Sequence, residues 1–176
     1  QHDRFAFRPR LPLFLPGEAL EFRYEPAEPE GAPAGDMLQL TVYQEKGSPP
    51  QALLIAADAS HPITLPVVAE KGLHTIEATL LREGVQLWTY RSAFWMRDWE
   101  YLKSGSKLAV GSDYFEQDGK PLPVVGTTYM ASDVDRLFLS RPNAYVWDRD
   151  MAQIRSAGLN MIRSGIWSGW ALVTTP

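Results

Sequence analysis

Cysteine is absent from the 176 residues of this chain, which excludes a disulfide framework and a thiolate metal site and leaves redox chemistry silent about compartment. Histidine is scarce: three occur, at His2, His61 and His74, too far apart for ligand spacing, so neither a metal nor a cofactor is expected. No run approaches the roughly 18 consecutive apolar residues that a helix needs to cross a bilayer, and no membrane span is expected. Positive charge is short as well. A net charge of −4 provides no cluster of Lys and Arg to meet phosphates, which argues against a nucleic-acid partner. The first four residues, Gln1-His2-Asp3-Arg4, do not read as a signal peptide. A start at Gln fits either a mature end left by cleavage or a plain chain boundary, and an extracellular or periplasmic location is the expectation.

What is present is an ordinary globular composition, 45% hydrophobic and 22% charged, with room for one or two domains. From residue 4 to 97 the pattern is short β runs separated by turn residues, with no long helical stretch. The runs are 5–7, 19–24, 37–43, 52–56, 63–68, 73–81 and 86–95. Alternation is clearest in Leu38-Gln39-Leu40-Thr41-Val42-Tyr43 and in His74-Thr75-Ile76-Glu77-Ala78-Thr79-Leu80, as expected of half-buried strands. Arg82-Glu83-Gly84-Val85 carries a hairpin turn signal. Seven short strands in about a hundred residues predict a β-sandwich, immunoglobulin-like but without the disulfide. Residues 25–36 are rich in Pro, Gly and Glu and read as a solvated loop. Trp88, Trp95 and Trp99 are assigned to packing in the sandwich or at its end, because such a core needs large residues.

Composition becomes mixed and Gly/Ser-containing at Lys103-Ser104-Gly105-Ser106-Lys107. The domain boundary is expected there, giving domains 1–103 and 104–176. Asp118-Gly119 then reads as a two-residue hairpin turn. Residues 123–129 form a short apolar run rich in β-branched residues, a strand. Asp148 is a candidate N-cap with Asp150 in the first helical turn. Met151, Ile154 and Ala157 follow at helical spacing, and Gly158 is a C′ residue able to adopt positive φ. Residues 159–163 read as a second strand, buried on both faces. Two strands joined through a helix make a βαβ unit with parallel pairing, and in such sheets functional groups collect at the carboxyl ends of the strands. Those ends are Thr128-Tyr129 and Arg163-Ser164-Gly165-Ile166-Trp167, with the loop 130–145 adding Asp133, Asp135 and Arg136. The turn after the first of these strands lacks the glycines of a dinucleotide site.

Phe115-Glu116-Gln117-Asp118-Gly119-Lys120-Pro121, Val125-Gly126-Thr127-Thr128-Tyr129, Trp147-Asp148 opening a helix, and Ala157-Gly158-Leu159-Asn160-Met161-Ile162-Arg163 occur in that order over residues 111–170. Their order and spacing resemble the start of a (β/α)8 barrel in the clan of retaining glycoside hydrolases that includes β-galactosidases, β-mannosidases and endoglucanases. The resemblance implies a β-sandwich followed by a partial α/β unit, the first two strands of the barrel. Such a barrel needs about 250 residues, whereas 63 follow Asp113. The remaining strands would come from the same parent polypeptide or from a separate chain.

The resemblance also implies a chemistry. Retaining glycosidases use two carboxyl groups about 5–5.5 Å apart, which in this clan stand on later barrel strands, so neither nucleophile nor acid/base is expected in this chain. Glu116, Asp133, Asp135 and Asp148 are carboxylates in the right region, but none occupies a matching strand end. Arg163 matches the arginine that ends the second strand and holds the nucleophile carboxylate ionised. Its alternative is a surface arginine with a local acid partner. Tyr129, Trp167 and Trp170 follow strand ends, where flat apolar faces can stack on sugar rings; packing is the alternative for each. The expected partner is a carbohydrate substrate. A non-catalytic carbohydrate-binding or interaction module is the competing reading.

Overall fold

The structure is a computed structural model that describes residues 4–27, 35–44 and 48–165. The chain divides into two units, Gln1–Arg97 with Arg141–Val146, and Asp98–Ser140 with Trp147–Pro176.

The first unit holds β1 (Phe5–Pro9), β2 (Leu13–Phe14), β3 (Glu21–Pro26), β4 (Met37–Gln44), β5 (Gln51–Ala56), β6 (Ile63–Thr64), β7 (Gly72–Arg82) and β8 (Val85–Met96). One sheet has the order β1-β3-β6 and the other β2-β8-β7-β4-β5, a β-sandwich-like arrangement around a shared core. The side-chain period of two explains how that core is built. Leu38, Leu40 and Val42 of β4, Ile76, Ala78 and Leu80 of β7, and Tyr90 and Phe94 of β8 are all buried. Register matches large to small: Leu40 faces Ala78, which faces Tyr90. Within the smaller sheet Phe7 stacks on Phe22 at 5.2 Å, and across the sandwich Phe22 meets Phe94 edge-on at 5.7 Å. Such ring pairs add to simple burial.

Turn chemistry joins β7 to β8. Glu83 (φ 50°) and Gly84 (φ 78°) are both left-handed, the type I′ geometry that matches strand twist. The expected strand at 63–68 is shorter than read, because Pro66 has no N–H to donate and pairing stops at Thr64. The two-residue β2, which pairs in parallel with β8, had no reading at all. The solvated-loop reading of 25–36 needs correction at both ends. Glu25 and Pro26 belong to β3, and Asp36 is buried and paired with Arg82 at 2.9 and 3.0 Å. A carboxylate at that depth requires such a bidentate partner. Trp88 packs against the core. Trp99, by contrast, is 51% exposed.

Residues 141–146 pack with the first unit. The Asn143 amide donates to the Tyr90 hydroxyl and to the Arg91 carbonyl, both at 3.1 Å, and the Arg8 guanidinium donates to the Arg141 carbonyl.

The second unit opens with α1 (Trp99–Lys103), capped by Asp98, whose side chain accepts from the N–H groups of Glu100 and Tyr101. A three-stranded antiparallel sheet follows: β9 (Leu108–Val110), β10 (Phe115–Gln117) and β11 (Lys120–Leu122). Asp118 (φ 51°) and Gly119 (φ 73°) form a second type I′ turn. Then come β12 (Gly126–Thr128), α2 (Ala144–Ser156) and β13 (Met161–Arg163).

α2 begins before Asp148, which corrects the N-cap. Asn143 caps it instead, its Oδ1 accepting from the Tyr145 N–H at 3.2 Å, while Asp148 lies inside the helix and is exposed. An Asn cap is as good as an Asp cap, and this one comes first in the chain. The helix stops at Gly158 (φ 80°). The Gly158 N–H bonds the Arg155 carbonyl and the Leu159 N–H bonds the Ile154 carbonyl, the paired bonds of a Schellman ending.

Candidate functional site

β12 and β13 pair in parallel, with Gly126 opposite Met161, Thr127 opposite Ile162 and Thr128 opposite Arg163. Close approach sets the first of these pairs. A Cβ on Gly126 would lie 2.9 Å from the Met161 carbonyl oxygen, so a side chain there would force the strands apart. Asn160 extends the pairing beyond the strands. Its Oδ1 accepts from the Val125 N–H at 2.9 Å, its Nδ2 donates to the Pro123 carbonyl at 2.7 Å, and its own N–H donates to the Val125 carbonyl at 2.9 Å. The amide side chain thus serves as an extra peptide group beside a stretch containing proline. Burial on both faces, read for these strands, is not found among the described residues: Met161 and Ile162 are 40% and 37% exposed. Among those residues the sheet has two strands, too few to enclose its own faces.

At the carboxyl ends, the Tyr129 N–H donates to the Arg163 carbonyl at 2.9 Å, so the residue just past β12 is tied to the last residue of β13. Tyr129 is 7% exposed, and its ring lies 6.2 Å from that of Phe138. It is held as a packing residue, with no open face for a sugar among the described residues. Its hydroxyl donates to Asp150 Oδ2 at 3.1 Å.

Asp150 is the hub of this end, and the sequence reading missed it, treating it as a first-turn acid at a helix start that lies elsewhere. Its Oδ2 also accepts from the Ser132 N–H at 3.0 Å, and its Oδ1 from the Ser132 hydroxyl at 2.8 Å. The Arg149 Nη2 donates to the Ser132 hydroxyl at 2.6 Å and reaches Asp150 Oδ1 at 3.4 Å. Burial opposes the charge on Asp150, but the bonds from Ser132, Tyr129 and Arg149 outweigh it and hold the carboxyl below its ordinary range. The same contact acts in reverse on Tyr129. Burial, then the Asp150 charge and hydrogen bond, push its hydroxyl well above the usual tyrosine value. With both oxygens engaged and its acidity increased, Asp150 is unsuited to proton transfer and suited to holding the loop after β12. One signal for it was available: Asp150 stands four residues from Val146 and four from Ile154, on an apolar helix stripe where a carboxylate needs donors.

Arg163 is exposed at the end of β13, and among the described residues its guanidinium has no hydrogen-bond or ion-pair partner. Trp167 and Trp170 lie outside the described residues. Asp133, Asp135 and Arg136 lie on the loop after β12, whose turn is closed by paired backbone bonds between Ala131 and Asp135. Glu116 belongs to β10 and lies against Gly111. Among the described residues, no three histidine or acidic side chains gather as metal ligands. The geometry therefore offers a fixed strand-end platform carrying the exposed Arg163.

No protein-family model matches the chain, and no curated protein matches it. Solved structures similar to it include two described as glycosyl hydrolase family 2 members from Bacteroides cellulosilyticus, one of them from strain DSM 14838. Sequence identity is 13% and 12%, with TM-scores of 0.33 and 0.32. Each likeness covers 92% of this chain and 22% of the other, so the chain spans about a fifth of their length.

Proposed function

We propose that this chain is the N-terminal portion of a retaining glycoside hydrolase, an immunoglobulin-like sandwich over residues 1–103 followed by the opening strands of a (β/α)8 catalytic barrel over 104–176. The observation that carries the reading is the parallel pairing of β12 with β13 across α2, on the residues whose sequence resembles the first two strands of such a barrel. Exposed Met161, Ile162, Val124 and Val125 suit strands that await neighbours, since parallel sheets are covered on both faces when complete.

In this reading both catalytic carboxyl groups lie outside the chain, contributed by the remainder of the barrel from the same polypeptide or from another chain. Arg163, at the carboxyl end of the second strand, keeps the nucleophile ionised through a charge-assisted hydrogen bond. Trp167 and Trp170 stack on the sugar. Tyr129 supports the site from beneath, held by Asp150. The substrate is an oligo- or polysaccharide met outside the cytoplasm.

The test compares residues 1–176 with the completed barrel on aryl glycosides, following anomeric configuration by NMR. The chain alone is expected to be inert and the completed protein to hydrolyse with retention. Turnover by the 176-residue chain that is lost on mutating one of its own acids would overturn the reading, as would a completed barrel inert towards every glycoside.

A further inference from the structure

His74 lies in β7 and is 1% exposed. Its Nε2 is 2.6 Å from the Glu70 carbonyl oxygen. Because a carbonyl only accepts, the neutral ring carries its proton on Nε2. Nδ1 is left as a bare lone pair, buried without a hydrogen-bond partner among the described residues. One face of the ring stacks on Phe94 at 4.9 Å and 13°.

Among the described residues, the elements packed around the ring give a positive charge little to meet. β8 presents Phe94, and β4 presents Gln44, the register partner of His74. The Gln44 Nε2 donates to the Val68 carbonyl at 3.0 Å, and its Oε1 is buried with no hydrogen bond to Nδ1. Glu70, in the segment before β7, is the charged group acting on the ring. Burial disfavours the charged ring more than Glu70 favours it, which holds the histidine below its ordinary value of 6.5.

We propose that His74 makes the first unit acid-labile: a proton taken up at Nδ1 has no hydrogen-bond partner in place among the described residues, and the ring leaves its place between Phe94 and the Glu70 carbonyl, opening that end of the β4–β7–β8 sheet. The sign follows from linkage. The unfolded chain binds the proton more readily, so stability is full above about pH 6.5 and is lost as pH falls through that value towards the folded one, with a limiting slope of about tenfold in the unfolding constant per pH unit.

Urea unfolding of the 176-residue chain between pH 7.5 and 5 tests this in the wild type and in His74→Gln, whose amide can still donate to Glu70 but does not titrate. Every other ionisable group is common to both. The wild type is expected to show the steeper dependence, by up to about tenfold per pH unit, and equal slopes overturn the proposal. Should His74→Gln fail to fold, nitrogen chemical shifts of the wild-type ring decide. Retention of the Nε2–H form until the sheet opens supports the proposal, and protonation of the ring with the fold intact overturns it.

Discussion

The Tyr129 hydroxyl donates to Asp150 Oδ2 at 3.1 Å, joining the end of a strand to the middle of a helix 21 residues later. Two further bonds, from the Ser132 backbone and hydroxyl, close the same carboxylate.

Asp150→Asn keeps the size but removes the charge, and the new amide nitrogen cannot accept from Ser132. A loss of about 2 kcal/mol is expected in the local stability of the loop after β12, the usual range for hydrogen bonds to a charged group, read as faster amide exchange at Tyr129 and Ser132. Tyr129→Phe should cost about 1 kcal/mol by the same measure. Acid should mimic the first substitution. With the folded carboxyl held below its ordinary 3.8, the contribution is full above about pH 4 and is lost as pH falls through the folded value. The Asp150→Asn variant would lack that acid limb; unchanged exchange in both variants would mean that the carboxylate holds nothing.

Gly126→Ala places a methyl group against a backbone oxygen that cannot swing aside. Overpacking of this kind costs about 1–3 kcal/mol. Loss of the cross-strand amide protections at Tyr129 and Asn160 is the expected result, while the amides of β7 and β8 stay protected.

Asn160→Ala removes two side-chain bonds to the backbone ahead of β12, and because the site is exposed about 1 kcal/mol is expected. Asn160→Asp should be worse than Ala at neutral pH, since a carboxylate oxygen would face the Pro123 carbonyl. Exchange at Val125, measured above and below about pH 4, the ordinary aspartate range, separates the two effects.

Arg163→Lys, made in the completed barrel, keeps the charge but loses the planar fork. A fall in kcat of about 10- to 100-fold is expected, at about 1.4 kcal/mol per decade, with thermal stability nearly unchanged because the charge is kept. Wild-type turnover would remove Arg163 from the proposed chemistry.

Local chemistry was the legible part. Gly84, Asp118-Gly119 and Gly158 favour left-handed backbone, so two hairpin turns and one helix end were readable, because each conformation is decided within a few residues. The parallel pairing of the last two strands was readable from two short apolar runs with a helical period between them. The start of α2 was not, since Asn143 and Asp148 are both competent caps and only the buried bonds to Tyr90 and Arg91 favour the earlier one. β2 escaped because two residues set among prolines carry no period. The roles of Asp150 and Asn160 depend on partners 18 and 35 residues away, and composition does not encode such distances.

The strip from Arg141 to Val146 gives the first unit a discontinuous boundary. A recombinant sandwich ended at Arg97 would contain every one of its β-strands and still be incomplete. The Tyr90 hydroxyl and the Arg91 carbonyl would lose the amide that caps them, and Arg8 would lose a backbone acceptor. Supplying residues 141–146 as a separate peptide, or splicing them on through a short linker, is the natural route to an autonomous version of this unit. A design that respects only the order of the chain will cut through it.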